Sequence, residues 1–505
     1  MRYRSPTTAM AHQLRAIAAS RTAPPVPSGS VFAYLLDMGT GKTKVVLDEF
    51  GEDAVSGGPQ DLLIFGPAGS YRNWFEDKSE LQPSELNRHV DPEFLDRMVW
   101  VPWISGGGKK LRERIRAMME CRDKRRPRAL FVNIEAVQKR DEAFQLCMEF
   151  VAQRRARVVI DESTTIRGNS NRAENVIEIG RASSSKRIMS GLWTPRSPLD
   201  LYNQCMFLDQ KILGRNNIFS FKMRYAVTKK VNMGGTYVSK DGEEKKRKPF
   251  SVILGWRHIE ELRERVAPYR FRVLKKDCLD LVPKTYAIRD VELTGEQKKM
   301  IEEIRLFGHA AVGDSFVTVD MVLKQIIRLA QIGCGYVMDD ERVLREVPEN
   351  RTNELIALLD EHAGKAIIWC PWRAPIEKIV RRLREEYGPL SVAQFHGGNK
   401  TTRGDEERRF LGDPECRFMV ATQGAGMRGN TWVCADLTVY YANSYDLEQR
   451  DQSEDRNHRV GQRNPVTVVD LVARDTNDMK VLKNLRKKID MATLINNEGY
   501  REWIL

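Results

Sequence analysis

Leu36-Asp37-Met38-Gly39-Thr40-Gly41-Lys42-Thr43 closes the apolar run VFAYLLD and opens the helical run KVVLDEF. A strand, a glycine-rich turn and a helix start, in that order, make an anion cradle. Glycines let backbone N–H groups approach a phosphate, and the helix dipole favours negative charge there. Gly39, Thr40 and Gly41 line such a cradle. Lys42 reaches the terminal phosphates of a nucleotide, and the Thr43 hydroxyl ligates Mg²⁺. Leu36 stands where the long phosphate-loop pattern has its first glycine. A second cluster, Val158-Val159-Ile160-Asp161-Glu162-Ser163-Thr164, puts two carboxylates at the C-terminal end of an apolar strand. That edge of a parallel sheet is where ligands bind. Asp161 suits a Mg²⁺ held through water, and Glu162 suits polarising an attacking water. Any isolated Asp-Glu pair also fits a solvated strand end; a phosphate loop upstream in the same set of strands favours the chemical reading.

The elements that must position these groups alternate along the chain. VFAYLLD (31–37), DLLIFGP (61–67), ALFVNI (129–134), RVVIDES (157–163) and KRIMSG (186–191) read as buried parallel strands, apolar without polar alternation. A second series follows: KAIIWC (365–370), LSVAQF (390–395), CRFMVAT (416–422), LTVYYAN (437–443) and VTVVDLV (466–472). Helical patterns lie between, at 109–122, 374–388 and 479–495. Two such sets predict two doubly wound α/β lobes. Residues 209–345 differ and read as an insertion between the lobes. It holds an extended hairpin with a Gly234-Gly235 turn and the charged loop DGEEKKRK, a helical stretch over 295–332, and a crossover at 274–286 broken by Pro283.

Composition narrows the partners. The 505 residues carry 82 Lys+Arg against 69 Asp+Glu, a net charge of +13, which fits a polyanionic partner, nucleic acid before membrane. The eight cysteines form no C-x-x-C pair, which argues against a zinc knuckle and for reduced core thiols in a cytoplasmic protein. The basic N-terminus has no apolar stretch after it, and no run approaches the ~18 apolar residues of a membrane span.

A third constellation makes a family visible. Gln452-Ser453-Glu454-Asp455-Arg456-Asn457-His458-Arg459-Val460-Gly461-Gln462 resembles motif six of superfamily-two helicases, with the H-R-x-G-Q ending of the Swi/Snf branch. ATQGAGMRGNTWVCADLTVYYANSYDLEQRDQ resembles motif five, VVIDESTTIRGNSNR motif two, KAIIWCPW motif four and VAQFHGGNKTTRGDEERRFL the segment after it. LLIFGPAGSYRNWFED resembles motif Ia, and ALFVNIEAV the motif of the next strand. AMAHQLRAI, with Gln13, resembles the adenine-reading Q motif. The motifs run in family order over roughly residues 8–490, in a style similar to compact Swi/Snf-like proteins of bacteriophages and bacteria.

The resemblance implies an α/β fold of two RecA-like doubly wound parallel-sheet lobes with an α+β insertion: lobe 1 over 1–208, the insertion over 209–345, lobe 2 over 346–475, and a C-terminal helix over 476–505 packing back on the lobes. It implies ATP and Mg²⁺, with Gln13 at the adenine and Gln452, Arg456 and Arg459 at the reacting phosphates. The i, i+3 spacing of the two arginines puts them on one face of a helix; taken alone, the segment also reads as a solvated charged helix face. Ser70, Arg72, His396, Gly397, Thr422 and Gln423 fall in loops that track one DNA strand's backbone in the family. Double-stranded DNA, alone or in protein–DNA complexes, is the implied partner, with no membrane and no zinc. Residues 109–128 carry a local excess of basic charge that suits phosphates or a solvated helix equally.

One departure stands out. Motif three of the family reads S-G-T-P, whereas here Leu192-Trp193 follow Ser190-Gly191, with a Thr-Pro two residues later. A lost hydroxyl there predicts a repacked turn and weaker coupling of ATP to DNA, unless the turn has shifted. The expected function is a DNA translocase; a strand-separating or annealing enzyme and a DNA-binding scaffold with a degenerate ATPase fold are the rivals.

Overall fold

In this computed structural model the described residues are 2–485, apart from 68–69, 78–82, 122, 124, 196, 216, 232–235, 239–243, 247–249, 313–314, 319–321, 427–430 and 475. The chain divides into two compact units, which part between Cys278 and Leu279. Residues 209–278 belong to the first unit and 279–345 to the second, so the stretch read as a single insertion is apportioned between them.

The first unit is built on β1 (Ser30–Leu36), β2 (Asp61–Gly66), β3 (Val99–Trp103), β4 (Arg128–Asn133), β5 (Ala156–Asp161) and β6 (Ser185–Ser190). A hairpin arm follows, in which β7 (Ala226–Val231) pairs antiparallel with β10 (Phe250–Trp256), and β8 (Thr236–Val238) with β9 (Glu244–Lys246). The Gly234-Gly235 turn lies outside the described residues. The chain then returns as β11 (Arg270–Val273). The sheet order is β11-β1-β6-β5-β2-β4-β3, parallel throughout. Alternate residues of β1 enter different cores, Val31, Ala33 and Leu35 on one face, Phe32, Tyr34 and Leu36 on the other. Burial on both faces explains why these strands read as continuous apolar runs. β3 and β11 lie at the sheet edges, where Pro102 and the basic Arg270 and Arg272 break the apolar signal.

The second unit has the parallel order β12-β21-β20-β17-β19-β18, with β12 at Lys284–Asp290, β17 at Lys365–Cys370, β18 at Val392–Phe395, β19 at Phe418–Thr422, β20 at Ala435–Tyr440 and β21 at Val466–Val472. The fold class is therefore α/β, with two doubly wound parallel sheets. Ahead of β17, the expected helical stretch over 295–332 is interrupted. Helix Gly295–Phe307 ends at Gly308 in a left-handed conformation, β13 (His309–Val312) and β14 (Ser315–Thr318) form a hairpin, and helix Val322–Gly333 follows. A second small hairpin joins β15 (Tyr336–Met338) to β16 (Leu344–Glu346), and these pieces share a separate core around Ile304, Val317 and Ile332. Residues 477–485 are helical, with Leu482 and Leu485 buried; the rest of the expected C-terminal helix lies outside the described residues. Among the described residues, no helix is long and apolar enough to cross a membrane.

Candidate nucleotide site

β1 delivers the chain into the loop Asp37–Gly41, and helix Lys42–Val55 leaves it. Gly39 and Gly41 both hold positive φ, 83° and 87°. At Gly41 a side chain is excluded twice, because its Cβ would also lie 2.2 Å from Gln13 Nε2. Lys42 Nζ donates to Leu36 O at 3.1 Å, so the ammonium folds back over the mouth of the loop. Gly191, just past β6, opens the facing wall: a Cβ there would stand 3.8–4.0 Å from Leu36 O, Lys42 Nζ and Met38 N. The loop is thus a small cradle with a cation beside it.

Asp161 ends β5, two strands from β1, and the Trp74 indole donates to its Oδ2 at 3.2 Å. Burial raises the Asp161 carboxyl above its usual range, opposed by the Trp74 bond and by the charge of Lys42. Glu162 is one of three non-glycine residues with positive φ among those described, at φ 54°, ψ 65°. Such a conformation costs an L-residue about 1–2 kcal/mol. The following turn holds it, with Thr165 N and Oγ1 both donating to Glu162 O at 3.0 and 2.9 Å. Hydroxyl and carboxylate oxygens are hard donors of the kind Mg²⁺ takes, so Thr43 and Asp161 fit that ion.

Gln13 is buried on helix Ala11–Thr22. Its Oε1 accepts from Met10 N at 2.9 Å and its Nε2 donates to Thr40 O at 3.1 Å. The carboxamide therefore braces the phosphate loop, together with His12, whose ring lies 2.8 Å from the same carbonyl. Sequence reasoning missed His12, Trp74 and Arg272. Arg272, on β11, donates to Leu35 O at 3.1 Å and Gly191 O at 2.7 Å and pairs with Asp37 at 2.8 Å. Trp74 lies in the motif Ia stretch and His12 beside Gln13 in the Q-motif stretch, whereas nothing in the sequence hinted at Arg272.

The departure at motif three is absorbed locally. Ser190 Oγ donates to Leu192 O at 2.9 Å and accepts from Leu192 N at 3.2 Å, closing a turn without threonine. Trp193 is fully buried in the larger core of the first unit.

In the second unit, helix Leu447–Glu454 stops before the two arginines. The expectation that Arg456 and Arg459 share a helix face is therefore corrected: both lie in the turn beyond it. Arg456 is fully buried, its Nε donating to Gln452 O at 2.9 Å, while Arg459 is partly exposed and donates to Thr431 Oγ1 at 2.8 Å. Gln452 is buried and donates to Glu448 at 3.3 Å. Of the residues assigned to DNA, Arg72 and Gly397 are exposed, and Ser70 and Thr422 are half-buried. His396 is buried against Gln394 and Gly398 N, and Gln423 is fully buried. His396 titrates below its usual range through burial, then through Arg373 and Arg403. Arg128 belongs to a buried pair with Asp61, so the basic surface of 109–128 does not include it. Trp369 and Trp432 stack on each other, fully buried in the core.

Fold and site together define an α/β protein with a phosphate loop on one strand and an acidic pair two strands away. A family model for the helicase conserved C-terminal domain matches residues 350–461. Protein CHROMATIN REMODELING 4 of Arabidopsis thaliana is 23% identical over 50% of this chain and 12% of its own length. TATA-binding protein-associated factor mot1 of Aspergillus fumigatus is 24% identical over 67% of this chain and 20% of its own length. The chain thus spans a fifth or less of these relatives. Among solved structures, the Sulfolobus solfataricus SWI2/SNF2 ATPase core in complex with dsDNA is 19% identical with a TM-score of 0.41, covering 99% of this chain and 95% of that one. The chain is thus similar to superfamily-two helicase-like proteins of the Swi/Snf type.

Proposed function

We propose that this chain is an ATP-driven translocase on double-stranded DNA, which remodels DNA or protein–DNA complexes. The observation that carries the ATPase part is the juxtaposition of Lys42 with the Gly191 wall and the Asp161-Glu162 strand end on one sheet edge. Backbone N–H groups of the loop and Lys42 bind the β- and γ-phosphates of the substrate ATP. Glu162 takes the proton from a water whose oxygen attacks the γ-phosphorus, and the β–γ bridging oxygen leaves with its electron pair on ADP. Thr43 and Asp161 would hold Mg²⁺, which would supply positive charge to the phosphate oxygens. By the family resemblance, the charge of Arg459 also acts on the transition state.

DNA as the partner is supported by the order of the motifs, by the net charge of +13 and by the chromatin- and TATA-linked names of the relatives. The test is to measure ATP hydrolysis alone, with single-stranded DNA and with double-stranded DNA, followed by triplex displacement and strand separation. Stimulation by duplex with triplex displacement is the expected result. Strand separation favours the helicase rival, and no nucleotide turnover in any condition defeats the reading.

A further inference from the structure

We infer that Gln204 is a positioning residue for catalysis, and that its carboxamide clamps the acidic turn to the loop that walls the phosphate site. The inference rests on the ATPase reading above. Gln204 is fully buried on helix Asp200–Leu208. Its Oε1 accepts from Ser163 Oγ at 2.6 Å, and its Nε2 donates to Trp193 O at 2.9 Å and to Asp200 O at 2.7 Å. A carboxamide has two N–H donors, and here each has its own carbonyl.

The two ends of the clamp are the two places that matter. Ser163 directly follows Glu162, whose left-handed backbone aims the candidate base. Trp193 lies two residues past Gly191, the residue facing Lys42 Nζ. Sheet pairing of β5 with β6 ends at Asp161 and Met189, so beyond that pair the ladder no longer sets the spacing of the two loops. Gln204 sets it with side-chain bonds in a water-free setting, where such bonds are strong and geometrically demanding. The clamp also gives the Leu192-Trp193 departure a use: a tryptophan anchored in the core presents its own carbonyl to Gln204 at a fixed place.

The test uses the full chain and four variants: Ser163→Ala, Gln204→Leu, the two combined, and Gln204→Glu. Turnover is normalised to nucleotide actually bound, read with a fluorescent ATP analogue, so that loss of folded protein does not count. The single substitutions are expected to lower kcat per bound site ~10-fold or more, while nucleotide affinity changes less than twofold. The double variant is expected to be no slower than Gln204→Leu, because both cut the same connection. Gln204→Glu is expected to work at low pH, where the neutral carboxyl still donates to Trp193 O, and to slow as pH rises and that proton is lost; the wild type lacks this limb. Ser163→Ala removes one oxygen, and so keeps the test alive if Gln204→Leu fails to fold. Turnover that depends on Lys42 but stays within twofold of wild type in Ser163→Ala overturns the role of Gln204 alone. A wild-type protein that hydrolyses no ATP overturns the ATPase reading, and this inference with it.

Discussion

Lys42 is the charge that faces both the phosphate cradle and Asp161, so its removal tests the most. Lys42→Ala is expected to abolish ATP turnover in a steady-state phosphate-release assay. Glu162→Gln is expected to bind ATP with near-normal affinity and to hydrolyse it slowly, since the amide cannot accept the water's proton. Turnover at the wild-type rate would remove Glu162 from the mechanism. Arg459→Ala is expected to lower kcat at least ~100-fold with little change in ATP affinity, an arginine finger being worth ~10³–10⁵-fold. A fall of less than threefold would return Arg459 to a solvated turn. Arg456 is buried and bonded to Gln452 O, so Arg456→Ala is expected to cost thermal stability before rate. At this scale the sequence was legible where local order carries the chemistry: Lys42 and Asp161-Glu162 announce themselves through flanking glycines and apolar strands. It was silent where a contact spans the chain. Gln204 sits in the apolar run LYNQCMFL like any stray polar residue, and its partner Ser163 is 41 positions away.

The strands were legible as elements because burial on both faces leaves an uninterrupted apolar signature. The helical stretch over 295–332 misled because short alternating segments, HAAV and SFVT, pass unnoticed between two amphipathic helices. Helix Lys42–Val55 is joined to β6 and β5 by charge: Glu49, at mid-helix, is fully buried and meets Arg187 of β6 at 2.6 Å and Arg157 of β5 at 3.1 Å. Burial pushes its carboxyl up, but Arg157 and then Arg187 outweigh that and hold it at about 2, down from 4.5. A depressed native value means the stabilisation is complete above 4.5 and is lost as pH falls through about 2. Glu49→Gln is therefore expected to cost ~3–5 kcal/mol at neutral pH. The gap from wild type should narrow in denaturant titrations below pH 4.5. A gap that stays constant with pH would mean that Glu49 is not the titrating group. At the loop after β6, Leu192→Thr combined with Trp193→Pro is expected to lower the melting temperature rather than improve DNA stimulation. Losing a buried tryptophan costs ~3–5 kcal/mol, and the Ser190 turn already replaces the missing hydroxyl.

For the molecule as a whole, the net charge of +13 sets an expectation about ionic strength. If phosphates are gripped through basic loops, duplex-stimulated hydrolysis should fall steeply with salt, and log affinity should decline linearly with log salt concentration. Basal hydrolysis, which needs no contact with DNA phosphates, should fall much less. Equal salt sensitivity of the two would detach the basic charge from DNA binding. The division into units was only partly legible, because the change falls at Cys278-Leu279 inside a stretch that has no composition break of its own. That location has a mechanical consequence. β11 is the last strand of the first unit before the chain leaves it, and it hangs on the sheet edge by four register pairs with β1. The same strand carries Arg272, which grips Asp37 and the Gly191 carbonyl, and Lys275 N bonds Asp37 just after it. Tension along the connecting chain therefore reaches the sheet through the rim of the phosphate loop. If the loop holds nucleotide as proposed, a pull on the tether would load the edge strand bonded to that loop, and a filled loop would stiffen the anchor.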